Sequence, residues 1–194
     1  GAVGNGLKEK DITLSIALIC GSILEAHGVE VGYTRTTDVF MDLTPRADKA
    51  NKFKADVFVS IHVNSAASPT ATGLEIFTTP GQTKGDELAT SIGEQLIKDF
   101  PDFTFRADYS DGDVDKEAKF TVITKTNMAA TLVEYMFIVN PKDAQILKTH
   151  QQSFALSTAK GILNYLGIKY KETADTIKLE MLGQVRYISG VHKN

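Results

Sequence analysis

The stretch Ala55-Asp-Val-Phe-Val-Ser-Ile-His-Val63 decides the fold, because apolar side chains fill most of its positions. An alternating pattern would mark a strand with one wet face. A nearly continuous apolar run marks a strand covered on both faces, as in a parallel or mixed sheet. His62 stands at its carboxyl end. A second such run, Thr131-Leu-Val-Glu-Tyr-Met-Phe-Ile-Val139, carries one embedded acid, Glu134. Gly73-Leu-Glu-Ile-Phe-Thr-Thr79 reads as a third strand, and Val29 to Arg35 and Phe120 to Ile123 as two more.

Helical spacing fills the gaps between these runs. Ile12, Ile16, Ile19, Cys20 and Ile23 recur on one stripe that Gly28 stops. Thr44 and Pro45 look like an N-cap and first helical residue, as do Asn140 and Pro141. Leu88, Ile92, Leu96 and Ile97 mark a further helix, and Phe154 to Leu166 a long one closed by Gly167. Strands alternating with helices predict an α/β fold: a twisted mixed, partly parallel β-sheet flanked by helices on both faces, in a single domain. A length of 194 residues with 42% hydrophobic content suits one core. Residues 170–194 read as a C-terminal helix or linker stub.

Composition excludes several classes. With 21 Lys and Arg against 24 Asp and Glu, the net charge of -3 provides no footprint for nucleic acid. No stretch approaches the roughly 18 consecutive apolar residues of a membrane span, so no membrane insertion is expected. The single Cys20 excludes an intrachain disulfide and a Cys-rich zinc module, and its helical stripe argues against a nucleophile. The string Asp111, Asp113, Asp115 starts like a calcium loop, but Lys116 stands at the required Gly and Val122 at the terminal Glu. It reads as a solvated loop. His27 beside Gly28 reads as a complement to a helix dipole.

Two polar residues need a reason. An isolated carboxylate inside an apolar strand loses its hydration unless it is paired or metal-bound, which singles out Glu134. His62 lies at a strand's carboxyl end, where open α/β sheets collect ligands. A buried group satisfied by a local hydrogen bond remains the alternative for each, and Glu9 taken by itself reads as an acid favoured by a helix N-terminus.

Five strings in one order extend this reading: GAVGNGLKEKD from Gly1, TRTTDVF from Thr34, ADVFVSIHVNS from Ala55, GLEIF from Gly73 and TLVEYMFIVNPKDA from Thr131. Together they resemble the ordered motifs of the zinc-dependent N-acetylmuramoyl-L-alanine amidases (amidase type 3) of bacterial autolysins and phage endolysins. The resemblance runs from Gly1 to about Gly167, so the amidase domain is expected over 1–169. It implies zinc as cofactor, Glu9 and His62 as metal ligands and Glu134 as the catalytic acid/base. The first zinc histidine, in an Asp-x-Gly-His-Gly type turn after a first strand, would lie upstream of Gly1. Asn64, Arg35 and Arg46 are candidates for substrate contact.

The implied reaction is hydrolysis of the amide joining N-acetylmuramic acid to L-alanine of the stem peptide. Peptidoglycan is the expected partner and a monomer the expected state. The expected location is secreted or wall-associated, or that of a phage lysin released at host lysis. A catalytically inactive wall-binding domain of the same fold and a zinc peptidase acting on soluble peptides are the alternatives.

Overall fold

The computed structural model describes residues 1–172. The chain opens with a hairpin, β1 (Val3–Gly4) and β2 (Leu7–Lys8). Its turn residues Asn5 and Gly6 both have positive φ, 49° and 76°, the geometry for which Asn-Gly is the favoured pair. There follow α1 (Glu9–Glu25), α2 (Leu43–Phe53), β3 (Val57–Asn64), β4 (Glu75–Thr78) and α3 (Lys84–Asp99). The short β5 (Lys116–Glu117) and α4 (Thr121–Thr124) lead to β6 (Ala129–Phe137), α5 (Pro141–Thr149) and α6 (Gln151–Tyr165).

Four strands form one mixed sheet in the order β3-β6-β4-β5. The β3/β6 and β4/β5 pairs are parallel and the β6/β4 pair is antiparallel. The expected mixed, partly parallel sheet with helices on both faces is therefore the architecture of the chain.

Strand side chains alternate between faces, and the two faces are covered unequally. Val57, Val59, Ile61, Val63, Leu74, Ile76, Val133 and Tyr135 meet the helical stripes of α1, α3 and α6 in the main core. Ile16, Leu88, Ile92, Leu96 and Phe154 are fully buried there. Helices α3 and α6 approach closely at Gly161, where a Cβ would lie 2.6 Å from the Ile92 Cα. The opposite face carries only a small cluster: Val122 and Ile123 of α4 against Ala130 and Leu132, with Phe58 and Phe77 beside them.

Three local expectations change. Val29 to Arg35 forms no strand: β-propensity does not make a strand without a ladder partner, and no neighbouring strand among the described residues pairs with it. Phe120 to Ile123 begins a short helix, because burying Val122 and Ile123 together against the sheet suits a helical turn better than an alternating strand. Helix α2 starts after Asp42, so Pro45 sits within the first turn, where its missing N–H has no intrahelical role. Of the expected terminal helix or stub over 170–194, residues 173–194 lie outside the described residues.

Candidate metal and catalytic centre

The lightly covered face carries the chemistry. Ser60, His62 and Asn64 alternate with the core valines and isoleucine of β3, and Glu134 continues the Ala130, Leu132 row of β6. His62 is the register partner of Glu134, and Glu134 is in turn the partner of Glu75 on β4. One imidazole and two carboxylates thus share a row across three strands, at the carboxyl ends of β3 and β6. This is the position where open α/β sheets bind ligands.

Glu9 reaches the row from outside the sheet. The opening hairpin wraps it: Ala2 N–H donates to Glu9 Oε2 at 2.7 Å, and Glu9 N–H donates to the Ala2 carbonyl at 2.9 Å. Its other oxygen, Oε1, lies 3.0 Å from His62 Nδ1. Burial opposes the ionised form of Glu9. The hydrogen bonds from His62 and from the Ala2 and Val63 amides, with the imidazole charge, outweigh burial and hold its carboxyl below the usual range. The far nitrogen of His62, Nε2, meets the Ser60 hydroxyl at 2.9 Å. The Ser60 hydroxyl on Nε2 fixes the ring from outside, as outer-sphere partners do for metal-binding histidines, and leaves Nδ1 facing the Glu9 carboxylate.

A bulge adjoins Glu134. Two steps along β3, from His62 to Asn64, match three along β6, from Glu134 to Phe137. Met136 absorbs the extra residue at φ 59°, although it is not glycine and is fully buried. Bulges of this kind re-aim side chains near functional sites, and non-glycine residues at positive φ concentrate there. The buried Asp143 secures the distorted strand end. It accepts from Phe137 N–H at 2.8 Å, Gly73 N–H at 3.2 Å and the Thr72 hydroxyl at 2.6 Å.

Glu134 itself is poorly served. Its Oε2 is buried and has no hydrogen-bond partner. Burial, reinforced by the charges of Glu9 and Glu75, pushes its carboxyl up to about 8. Glu75 has the opposite treatment. Burial works against its charge, but Lys116 Nζ at 2.7 Å and Arg106 Nε at 2.6 Å hold it below the usual range, and the Asn64 amide donates to its Oε2.

Of the residues singled out from sequence, Glu9, His62, Glu134 and Asn64 come together here. Arg46 donates to the Met41 carbonyl, and Arg35 to the Lys10 carbonyl and the Thr13 hydroxyl. Both thus tie the loop before α2 in place, and Arg35 does so against the first turn of α1. Ser60, Glu75, Arg106 and Lys116 were not anticipated. Glu75 carried the same signal as Glu134, a lone acid in an apolar strand, whereas Arg106 and Lys116 carry no local mark. His27 bonds the Ile23 carbonyl and the Lys171 backbone, and His150 packs among Phe100, Phe103 and Phe154. His192 lies outside the described residues.

The profile of the N-acetylmuramoyl-L-alanine amidases matches residues 1–164. The chain belongs to this amidase family. It is 37% identical to the endolysin of Bacillus phage SPP1 over 186 residues, covering 93% of this chain and 66% of that protein. It is 35% identical to the sporulation-specific N-acetylmuramoyl-L-alanine amidase of Bacillus subtilis over 185 residues, 93% of this chain and 69% of that one. The chain thus spans about two thirds of the length of these relatives. Among solved structures, it resembles the catalytic domain of the CwlV amidase from Bacillus (Paenibacillus) polymyxa var. colistinus. The TM-score is 0.78 at 33% identity, covering 87% of this chain and 92% of that one. Among the described residues of this amidase, no helix is long and apolar enough to cross a membrane.

Proposed function

We propose that this amidase hydrolyses the bond between the lactyl group of N-acetylmuramic acid and the L-alanine of the peptidoglycan stem, with zinc as cofactor. The observation that carries the reading is the Glu9–His62 pair beside Glu134, a buried carboxyl with an unsatisfied oxygen. Carboxylate oxygen and imidazole nitrogen are both zinc donors, and catalytic sites usually take three protein ligands and leave one position open. Glu9 Oε1 and His62 Nδ1 fit as two of the three. A bound zinc would bring the pKa of its water to roughly 7.

The chain's own groups supply the proton handling. Glu134 accepts the proton of the attacking water and returns it to the departing L-alanine nitrogen, which needs a carboxyl able to hold and release a proton near neutrality. Its raised affinity for a proton follows from burial between two other carboxylates. Ser60 holds the His62 ring, and the Ala2 amide holds Glu9. Asn64, at the edge of the row, is placed to meet the substrate. The domain that performs this chemistry spans 1–169, and secretion, wall association or release at lysis would each bring it to peptidoglycan.

Digestion of purified walls tests the reading. New L-alanine amino termini without new sugar reducing ends, lost on chelation and restored by zinc, are expected. New reducing ends would indicate a glycosidase, activity on soluble peptides alone would indicate a peptidase, and wall binding without hydrolysis would indicate an inactive domain.

A further inference from the structure

We propose that Asp86, Asp113 and Asp115 form a second cation site, separate from the Glu9–His62 centre, which takes one hard divalent cation of the calcium class. Each residue brings a carboxylate oxygen to within 4.8 Å of the others. Asp115 is 3% exposed and Asp86, in α3, 7%, so Asp115 departs from the solvated loop expected of its string. The Asp115 Oδ2 accepts the Thr78 hydroxyl, while its Oδ1 is fully enclosed and has no partner.

That orphaned oxygen points to a missing ligand. A buried acceptor without a donor costs about 1–3 kcal/mol, and more when charged, so the positive partner must come from a cation or a proton. Among the described residues, no lysine or arginine pairs with any of the three acids. Lys116, next in sequence, turns its ammonium to Glu75 instead. Burial, a side-chain contact with Asp113 and the Asp113 and Asp86 charges raise the proton affinity of Asp115 against the opposing Thr78 hydrogen bond, as expected of carboxylates gathered without a counter-charge.

The donor set selects the ion. Three carboxylates and no imidazole or thiolate favour a hard, oxygen-seeking cation over zinc. The opening Asp111-Gly-Asp113-Val-Asp115 run supplies acids at calcium-loop spacing. Lys116 ends that resemblance, and Asp86, at the first turn of α3, supplies a carboxylate from another element. Its Oδ2 takes the Thr83 amide in the helix cap, leaving Oδ1 for an ion. A cavity of about 360 Å³, lined in part by Asp108, Asp111, Asp115 and Lys116, opens on the Asp115 side of the cluster. An ion here would brace the loop that ends in Lys116, and hence the ammonium on Glu75.

Calorimetry and thermal unfolding with calcium chloride test the site, on the full chain stripped of metals and reloaded with zinc. Uptake of a single ion with a Kd of about 1 mM or tighter, with a higher Tm, is expected. Asp113→Asn and Asp115→Asn should each weaken uptake at least about tenfold, while Glu134→Gln should leave it unchanged. If Asp115→Asn does not fold, the part-exposed Asp113→Asn decides alone. Absence of calcium uptake, with Asp113→Asn raising the Tm at neutral pH, would show that the carboxyls share a proton and overturn the proposal. Uptake that survives both substitutions, or disappears in His62→Ala, would overturn it by placing the ion elsewhere.

Discussion

The two faces of the sheet are built from the same strands and do opposite things. On one, Val57, Val59, Ile61, Val63, Val133 and Tyr135 lie under three helices and carry no ionisable group apart from the tyrosine hydroxyl. On the other, one residue out of phase, Phe58 gives way to His62 on β3, and Leu132 to Glu134 on β6, as each strand runs toward its carboxyl end. The apolar face stabilises the molecule. The other face ends in a row where Glu75 is paired with Lys116 and Arg106, while Glu134 bears a burial cost that no partner relieves.

The sharpest break of this comparison is Glu134→Gln. The amide keeps the shape and removes the proton acceptor, so wall hydrolysis should fall by roughly 10² to 10⁴ with the fold intact. Activity above a tenth of the unaltered protein would place the base elsewhere. On the apolar face, Leu88→Ala should leave catalysis unchanged per folded molecule while costing about 2–5 kcal/mol of stability through the cavity it opens. Denaturant unfolding measures this, and a cost under about 1 kcal/mol would mean the main core is loosely packed.

Proton linkage gives a third test. The Glu134 carboxyl moves from an ordinary 4.5 to about 8 in the folded, metal-free protein. Between those values the unfolded chain has released its proton while the folded one retains it, so stability falls as pH rises through that window. The decline should be on the order of a few kcal/mol, and Glu134→Gln should flatten it. Identical pH–stability curves for the two proteins would remove the burial argument. The smallest effect belongs to Cys20→Ala. Cys20 is buried on the α1 stripe, and burial pushes its thiol up to about 12, which disfavours the thiolate, so its loss should cost about 1 kcal/mol without changing turnover. Inactivation of a folded Cys20→Ala protein would revive a thiol mechanism.

Much of the site was legible because polar residues stand out in apolar runs. His62 and Glu134 are conspicuous within strands that otherwise bury everything, and Glu75 within GLEIF carries the same signal. Arg106 and Lys116 were not legible. They approach Glu75 from 31 and 41 residues away along the chain, in a segment with no periodicity. Asp115 shows the opposite failure. Its acidic, glycine-containing loop reads as solvated, yet Thr78 and α3 enclose it.

Sequence alone determined the element types of the long apolar runs, the α/β class and the identities of the residues with no apolar explanation. Each of those follows from local periodicity and from the cost of burying a lone charge. Tertiary structure decided which of them meet. Strand order and register put His62, Glu134 and Glu75 in one row, a one-residue bulge at Met136 shaped the end of that row, and the opening hairpin set Glu9 against His62. Register is a property of paired strands, and a slip of one residue in a strand would have sent its member of the row to the other face.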